Sequence, residues 1–348
     1  MIKRVMVIGN KNSYNLEYFV MEALKNLNYD IEFFGYSSVK SLFSKDFARM
    51  LWTRSKIVRD LITPFYLRKV NNLIEHNVKS FKPDLIISLK GESILPKTIN
   101  SIKNEKIKIV LWFPDDPRFF NSLTKYIAPN YDVIFTYSKN AIMLYNQINI
   151  KNIYRLHFGC SRELHKRENW DNKITNKVLF VGTFTPKRYK FLKEMIKNNI
   201  PVDIYGSLWP KYVGGIRVKK GVYGDNYIKL MQKYAIVLNI HNDIAYGPNM
   251  RVFESTGSGA TLLTDNADDT SSFFENGKDI LVYSDIYEAI NIANKFLKNP
   301  NKDISKNAYM KCHQKYEYIN IINRLMEICE LNDKNPAINH ENLTTQKL

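Results

Sequence analysis

The segment from Ile236 to Asp265 reads IVLNIHNDIAYGPNMRVFESTGSGATLLTD and gathers the residue types best able to do chemistry. An apolar run ends in Asn239, Ile240 and His241, and a loop with Gly247 and Pro248 follows. The pattern predicts a helix that starts near Asn249 and carries Arg251 and Glu254, which share one face at i,i+3 spacing. The free N–H groups and dipole of a helix N-terminus attract anions, and Asn249 and Met250 would present them. Arg251 adds a forked cation. Glu254 could accept hydrogen bonds from both hydroxyls of a ribose diol. On spacing alone, a solvated Glu254 paired with Arg251 is the favoured reading. His241 follows the strand end, where a contact to a sugar or phosphate competes with a structural role; His157 and His313 lie near the other motifs.

A second candidate is Phe180-Val181-Gly182-Thr183, leading through Thr185-Pro186-Lys187 to Arg188. Strand, glycine, short loop and helix N-terminus make a phosphate-cradle layout, with Gly182 allowing close backbone approach. Arg188 and Lys190 could offset anionic charge; an ordinary solvated helix face is the alternative. Tyr205-Gly206-Ser207 ends another strand. In the first half, Asp115 and Asp116 follow the strand Ile107–Phe113. A carboxylate there could take a proton from a hydroxyl, or Asp116-Pro117 could be a turn capped by Asp115. Val7-Ile8-Gly9-Asn10 ends the first strand, its loop continuing through Asn12, Ser13 and Tyr14. GxGxxG is missing there, which argues against a dinucleotide cofactor.

These residues need strands and helices to hold them, and the sequence alternates accordingly. Strands are predicted at Arg4–Ile8, Asp30–Phe34, Asp84–Leu89, Ile107–Phe113 and Asp132–Tyr137, with helical patterns between them. The rhythm pauses near Ile153–His157. The polar stretch Ser161–Asn176 reads as an interdomain connection. Strands resume at Lys177–Val181, Val202–Tyr205, Ile236–Ile240, Thr261–Thr264 and Ile280–Tyr283, and helices follow at Ile286–Leu297 and about Tyr316–Leu331. This is the βαβ rhythm of parallel sheets covered on both faces. The fold class expected is α/β, with two doubly wound, Rossmann-like domains: residues 1–160 and 161–331, then a disordered tail over 332–348. Ligands of such sheets bind at the carboxyl ends of the strands.

The bulk numbers agree. A single core stops growing near ~250–300 residues, and this chain has 348, 45% of them hydrophobic. Its 51 basic and 34 acidic residues give a net charge of +17, which favours anionic partners; a Lys-, Asn- and Ile-rich composition is the plainer account of that charge. Cys160, Cys312 and Cys329 form no CxxC pair and no zinc spacing. No apolar stretch reaches the roughly 18 residues of a spanning helix, and the N-terminal run is too short for a signal peptide. A cytoplasmic protein is expected. The segment Lys40–Lys69 mixes basic residues with Phe43, Phe47, Met50, Leu51 and Trp52. It suits either peripheral contact with an anionic membrane or an amphipathic helix pair covering the sheet.

The run NIH…GPNMRVFE…SGATLLTD, followed by FFENGKDILVYSD, resembles the signature of the CgeB-like (spore-protein) glycosyltransferases, relatives of the group-1 GT-B transferases. The resemblance covers about Lys177 to Arg324 and is looser in the first half, where Trp112-Phe113-Pro114-Asp115-Asp116-Pro117 is the familiar part. It implies two Rossmann-like domains facing across a cleft. It also implies transfer of a sugar from a nucleotide diphosphate-sugar to an acceptor, without metal or bound cofactor. The donor nucleotide would sit on the second domain, with Glu254 on the ribose. Arg188, Arg251 and the helix N-terminus at Asn249 would hold the diphosphate, alongside Gly182, Gly206 and Asn239. The loop Gly221-Val222-Tyr223-Gly224 would meet the nucleobase through its backbone. The first domain would bind the acceptor, with Asp115 or Asp116 as base or acceptor contact; their adjacent spacing does not fit a metal-binding DxD. Acceptors compatible with the charge are a surface glycan precursor, a lipid-linked saccharide, a protein or DNA. The sequence departs from the pattern at Tyr246, where many retaining relatives carry a first glutamate eight residues before the second; Asp243 is the nearest acidic substitute. A nucleotide-sugar-binding protein without transfer activity and a nucleotide-sugar epimerase are the alternatives. Oligomeric state is not legible.

Overall fold

The computed structural model describes residues 2–10, 14–36, 56–170, 174–241 and 246–334. The expected tail beyond 334, the side chain of Asp243, and Asn12 and Ser13 lie outside the described residues, as do residues 40–55 of the basic segment. Two compact units emerge. The first holds the chain up to His157 together with the end of the last helix from Ile322, and the second holds Phe158–Ile321.

In the first unit, β1 (Arg4–Gly9), β2 (Asp30–Gly35), β3 (Leu85–Leu89), β4 (Lys108–Phe113), β5 (Val133–Thr136) and β6 (Ile153–Arg155) form one sheet in the order β2-β1-β3-β4-β5-β6. Every pair is parallel. Strands so placed are covered on both faces and read as unbroken apolar runs; Val5–Ile8 and Ile109–Phe113 are fully buried. The pause expected near Ile153–His157 is a sixth strand. Its three residues are too few to show a pattern, but Ile134 and Ile153 are in register. Helices α1 (Leu16–Asn26), α2 (Lys56–Phe81), α3 (Pro96–Asn104) and α4 (Lys139–Gln147) cross between the strands. The described part of the basic segment begins α2, whose Val70, Ile74 and Val78 are buried in the core. That spacing of four is one helix face turned to the sheet.

In the second unit, β7 (Thr175–Val181), β8 (Val202–Tyr205), β11 (Tyr234–Asn239), β12 (Leu262–Asp265) and β13 (Leu281–Tyr283) pair in parallel in the order β13-β12-β11-β7-β8. A small antiparallel hairpin, β9 (Tyr212–Val213) and β10 (Ile216–Arg217), lies outside this sheet. Helices α5 (Pro186–Lys197), α6 (Gly224–Met231), α7 (Met250–Gly257), α8 (Ile286–Lys298), α9 (Lys302–Lys315) and α10 (Tyr318–Lys334) complete the unit and lead back to the first. The stretch expected as a connection is packed down: Arg167 lies over the Trp170 ring and its Nη1 donates to the Gly259 carbonyl.

The strand order decides where a ligand can enter. Chain order runs outward from β7 to β8 on one side and from β11 to β13 on the other. The loops leaving β7 and β11 therefore part company at their carboxyl ends and open a crevice. In the first sheet the same divergence falls between β1 and β3.

Candidate active site

At the β7–β11 crevice the chain places a cluster of polar groups. Arg188, in the first turn of α5, is buried at 6% exposure. Its Nε and Nη2 donate to the Ile240 carbonyl at 3.1 and 2.9 Å, and its Nη1 donates to the Thr183 carbonyl at 3.0 Å. One guanidinium thus ties together the two loops that flank the crevice. Its pKa is lowered to about 10, chiefly by burial and then by the like charge of Arg251. Two cations held near each other in a half-dry crevice make a place that favours an anion.

The two candidate helix N-termini differ. At α5 the Thr185 hydroxyl accepts from the Arg188 N–H, and Pro186 offers no N–H at all. That end is already capped. At α7 the N-cap residue Asn249 makes no capping bond to its own helix. Its amide instead pairs reciprocally with the Asn239 amide, both bonds at 3.3 Å. Asn239 is fully buried and also donates to Thr264 Oγ1 at 3.0 Å. Asn239 is therefore a strut that turns Asn249 aside and, among the described residues, leaves the first amides of α7 without a side-chain acceptor. Helix α7 follows Asn249, which is in extended backbone, and just past its C-cap Gly259 has a φ of 68°, which suits the left-handed turn that ends helices.

Along α7, Arg251 Nε donates to the Tyr227 hydroxyl of α6 at 3.0 Å. Burial would lower the Arg251 pKa, but the charges and hydrogen bond of Tyr227 and Glu254 raise it overall. Glu254 makes no direct ion pair with Arg251, and among the described residues its half-buried carboxylate meets no hydrogen-bond donor. Burial raises its pKa, with the Arg251 charge opposing. A carboxylate in this state is poised to accept from hydroxyl groups that come from outside the chain. The solvated Arg251–Glu254 pair, favoured on spacing alone, is not what forms.

His241 lies one residue past the carbonyl held by Arg188. It is 7% exposed, and its Nδ1 is 2.6 Å from Asp265 Oδ1. Lys187 Nζ approaches the other Asp265 oxygen at 3.7 Å. Gly182 lies at the β7 end, where its carbonyl accepts from Trp209 Nε1 at 2.7 Å. Gly206 is required by the backbone itself: a Cβ there would sit 1.9 Å from the Gly182 carbonyl oxygen. Tyr223 is 70% exposed at the start of α6. Lys190 is exposed on α5. His313 is spent between the Gly257 carbonyl and Glu317, both at 2.9 Å.

In the first unit the two aspartates part ways. Asp116 is completely buried and accepts from the Thr124 hydroxyl at 2.8 Å and from the Tyr145 hydroxyl. Burial pushes its pKa up to about 6, against those two bonds. Asp115 is half exposed and pairs with Lys90 Nζ at 2.6 Å. Lys90 leaves β3 with a φ of 68°, a region lysine rarely enters. It stands at the divergence of β1 and β3, where an open sheet takes its ligand. Sequence reading missed Lys90, Tyr227 and Asp265. Asp265 ends the very segment that drew attention, but its partner is 24 residues away.

Residues 187–327 match the family described as Glycosyl transferase-like. The chain is distantly similar to the spore protein CgeB of Bacillus subtilis (strain 168), 23% identical over 136 residues, which is 39% of this chain and 43% of that protein. The match thus spans less than half of that relative. Among solved structures, sucrose-phosphate synthase from Thermosynechococcus elongatus superposes with a TM-score of 0.69 at 10% identity, covering 95% of this chain and 99% of that one. Anabaena HepE, solved in complex with UDP and glucose, superposes with a TM-score of 0.64 at 14% identity, covering 94% and 100%. The fold is that of the GT-B glycosyltransferases. The GT-B match spans both sheets, whereas the family match begins at Lys187 and takes in Arg188, His241, Arg251, Glu254 and Asp265. Among the described residues no helix is long and apolar enough to cross a membrane.

Proposed function

We propose that this chain is a glycosyltransferase that moves a sugar from a nucleoside diphosphate-sugar to an acceptor hydroxyl. The observation that carries the reading is the crevice between β7 and β11. It combines two neighbouring arginines, a helix N-terminus whose N-cap residue makes no capping bond and, one turn into that helix, a carboxylate that meets no hydrogen-bond donor among the described residues. Diphosphate oxygens suit the arginines and amides. A ribose diol suits Glu254. Gly182 and Gly206 let the backbone come close, and Asn239 acts through Asn249.

In the reaction the bond from the sugar C1 to the β-phosphate oxygen breaks, and its electron pair leaves with the nucleoside diphosphate. The acceptor oxygen bonds C1 and gives up its proton. Arg188, Arg251 and the α7 amides offset the charge that develops on the leaving group, so no divalent ion is called for. We assign the role of taking the acceptor proton to Asp115, which pairs with Lys90 in the first unit. Asp116 is committed to Thr124 and Tyr145 and shapes the loop. Tyr223 would offer the nucleobase its backbone. The acceptor is a glycan, lipid-linked saccharide, protein or DNA hydroxyl.

The test is binding of UDP, GDP, dTDP and CDP and their sugars, read by thermal shift. A ligand at ~100 times its Kd adds about 2.7 kcal/mol of stability. One nucleotide should raise the melting temperature of the native chain and fail to do so for Glu254→Ala. A panel in which no nucleotide shifts the native chain sinks the reading. Product analysis then separates transfer, which yields free diphosphate and a glycosylated acceptor, from epimerisation, which needs no acceptor.

A further inference from the structure

One buried group in the crevice is left idle by the contacts described so far. The His241 backbone N–H donates to both Asp265 oxygens, at 3.2 and 3.1 Å, while Nδ1 sits 2.6 Å from Oδ1. Burial alone would raise the Asp265 pKa, but the hydrogen bonds and charge of His241, with Lys187, hold it below the ordinary carboxylate range. An ionised carboxylate only accepts hydrogen bonds, so Nδ1 carries the hydrogen and the ring orientation is fixed. Nε2 is then the atom whose proton can come and go. It is buried and, among the described residues, has no hydrogen-bond partner. Such a nitrogen is costly to the fold unless something outside the chain supplies one.

The neighbours say what kind of partner fits. Arg188 holds the carbonyl of the preceding residue, Ile240, and feels the charges of both Arg251 and Asp265. Lys187, from the first turn of α5, reaches Asp265. From β13, the Tyr283 hydroxyl donates to the Asn239 carbonyl. Among the described residues the charged groups tied to Asp265 or to the neighbouring Ile240 carbonyl are thus two cations, Lys187 and Arg188, with Arg251 near Arg188, and Asp265 itself is already engaged. An anionic oxygen is the partner that this arrangement lacks.

We propose that His241 donates an Nε2–H hydrogen bond to the β-phosphate of the nucleoside diphosphate-sugar, with Asp265 as the positioning residue that holds the ring. The inference rests on the donor reading above. The proton is taken up from solvent when the nucleotide binds and goes back when the nucleoside diphosphate leaves, so nothing is consumed. As the C1–oxygen bond breaks, the imidazolium faces the oxygen that receives the electron pair.

The experiment is titration calorimetry of the full chain with UDP-glucose, GDP-mannose and dTDP-glucose at pH 6 and pH 8. Two buffers of different ionisation heat are used at each pH. The phosphates of these sugars carry no titrating proton in that range, so proton uptake reports on the protein. The nucleotide-sugar that binds should take up a proton at pH 8 and bind about tenfold more weakly there than at pH 6. His241→Gln should abolish both effects. Asp265→Asn should move the uptake to lower pH, because the imidazolium loses its counter-charge; this second variant guards against a His241→Gln chain that fails to fold. Binding that Glu254→Ala abolishes, but that shows no proton uptake in the native chain, would overturn the role of His241 and leave the donor site standing. No binding by any nucleotide-sugar would overturn the donor reading, and this inference with it.

Discussion

Replacing Asp116 by asparagine should change how the stability of this protein depends on pH. Asp116 is sealed from solvent between Tyr145 and Thr124, and its pKa stands at about 6 against an ordinary 3.8. The folded state therefore binds a proton more readily than the unfolded chain does between those values. By linkage, the stability this carboxyl contributes is fully present below about pH 3.8 and is lost as the pH rises through about 6. At about 1.36 kcal/mol per pKa step, the loss by pH 7 is about 3 kcal/mol. Asparagine fills the same space, accepts one hydroxyl bond and donates to the other hydroxyl, and never ionises. Urea unfolding of both proteins at steps from pH 4 to 7.5 measures the difference. Asp84, Asp203 and Asp265 are held low and act in the opposite direction, losing stability as the pH falls. They are common to both proteins and cancel. The stability of Asp116→Asn relative to the native chain should climb by about 2.4 kcal/mol from pH 4 to 7.5, the first ~0.5 kcal/mol having been lost by pH 4. A difference that stays flat would mean that Asp116 remains ionised in the fold. That would refute the assignment of Asp116 to packing.

The same split between the aspartates predicts activity: Asp116→Asn should retain transfer, and Asp115→Asn should lose most of it, as read by nucleoside diphosphate release. Lys90→Met should leave urea stability within about 1 kcal/mol, because its pair with Asp115 is half exposed, while lowering kcat/KM for the acceptor. Arg188→Lys can keep only part of the three bonds to Ile240 and Thr183, so the Kd of the nucleoside diphosphate should rise ~10–100-fold by calorimetry. Gly206→Ala places a methyl group on the Gly182 carbonyl and should cost more than about 2 kcal/mol in urea unfolding. Transfer by the native chain should be unchanged by EDTA; loss of activity on chelation, restored by a divalent ion, would overturn charge compensation by arginines and amides.

The alternation of buried strands and crossing helices was legible because parallel strands covered on both faces must be apolar throughout, and nothing distant is needed to see that. Runs such as Ile109–Phe113 and Ile236–Leu238 announce themselves. So did the helix bearing Arg251 and Glu254, set between Pro248 and Gly259. Helix α9 was not legible. Its buried residues are Ile304, Ser305, Ala308 and Cys312, three of them small or polar, so its inner face gives little signal. Strand β6 is too short to show a period and depends on β5 for its existence.

The sequence by itself determined which residue types stand at the ends of which strands, since those positions follow from local pattern alone. Tertiary structure decided their states. It removed Asp116 to the interior and left Asp115 with Lys90. It paired Arg251 with Tyr227 rather than Glu254, spent Asn239 on turning Asn249, and joined His241 to Asp265. Each decision depends on a partner that the sheet order brings close from 24 or more residues away or, for Asn249, from the far side of a loop. Burial and charge are properties of that neighbourhood, and a linear pattern does not carry them.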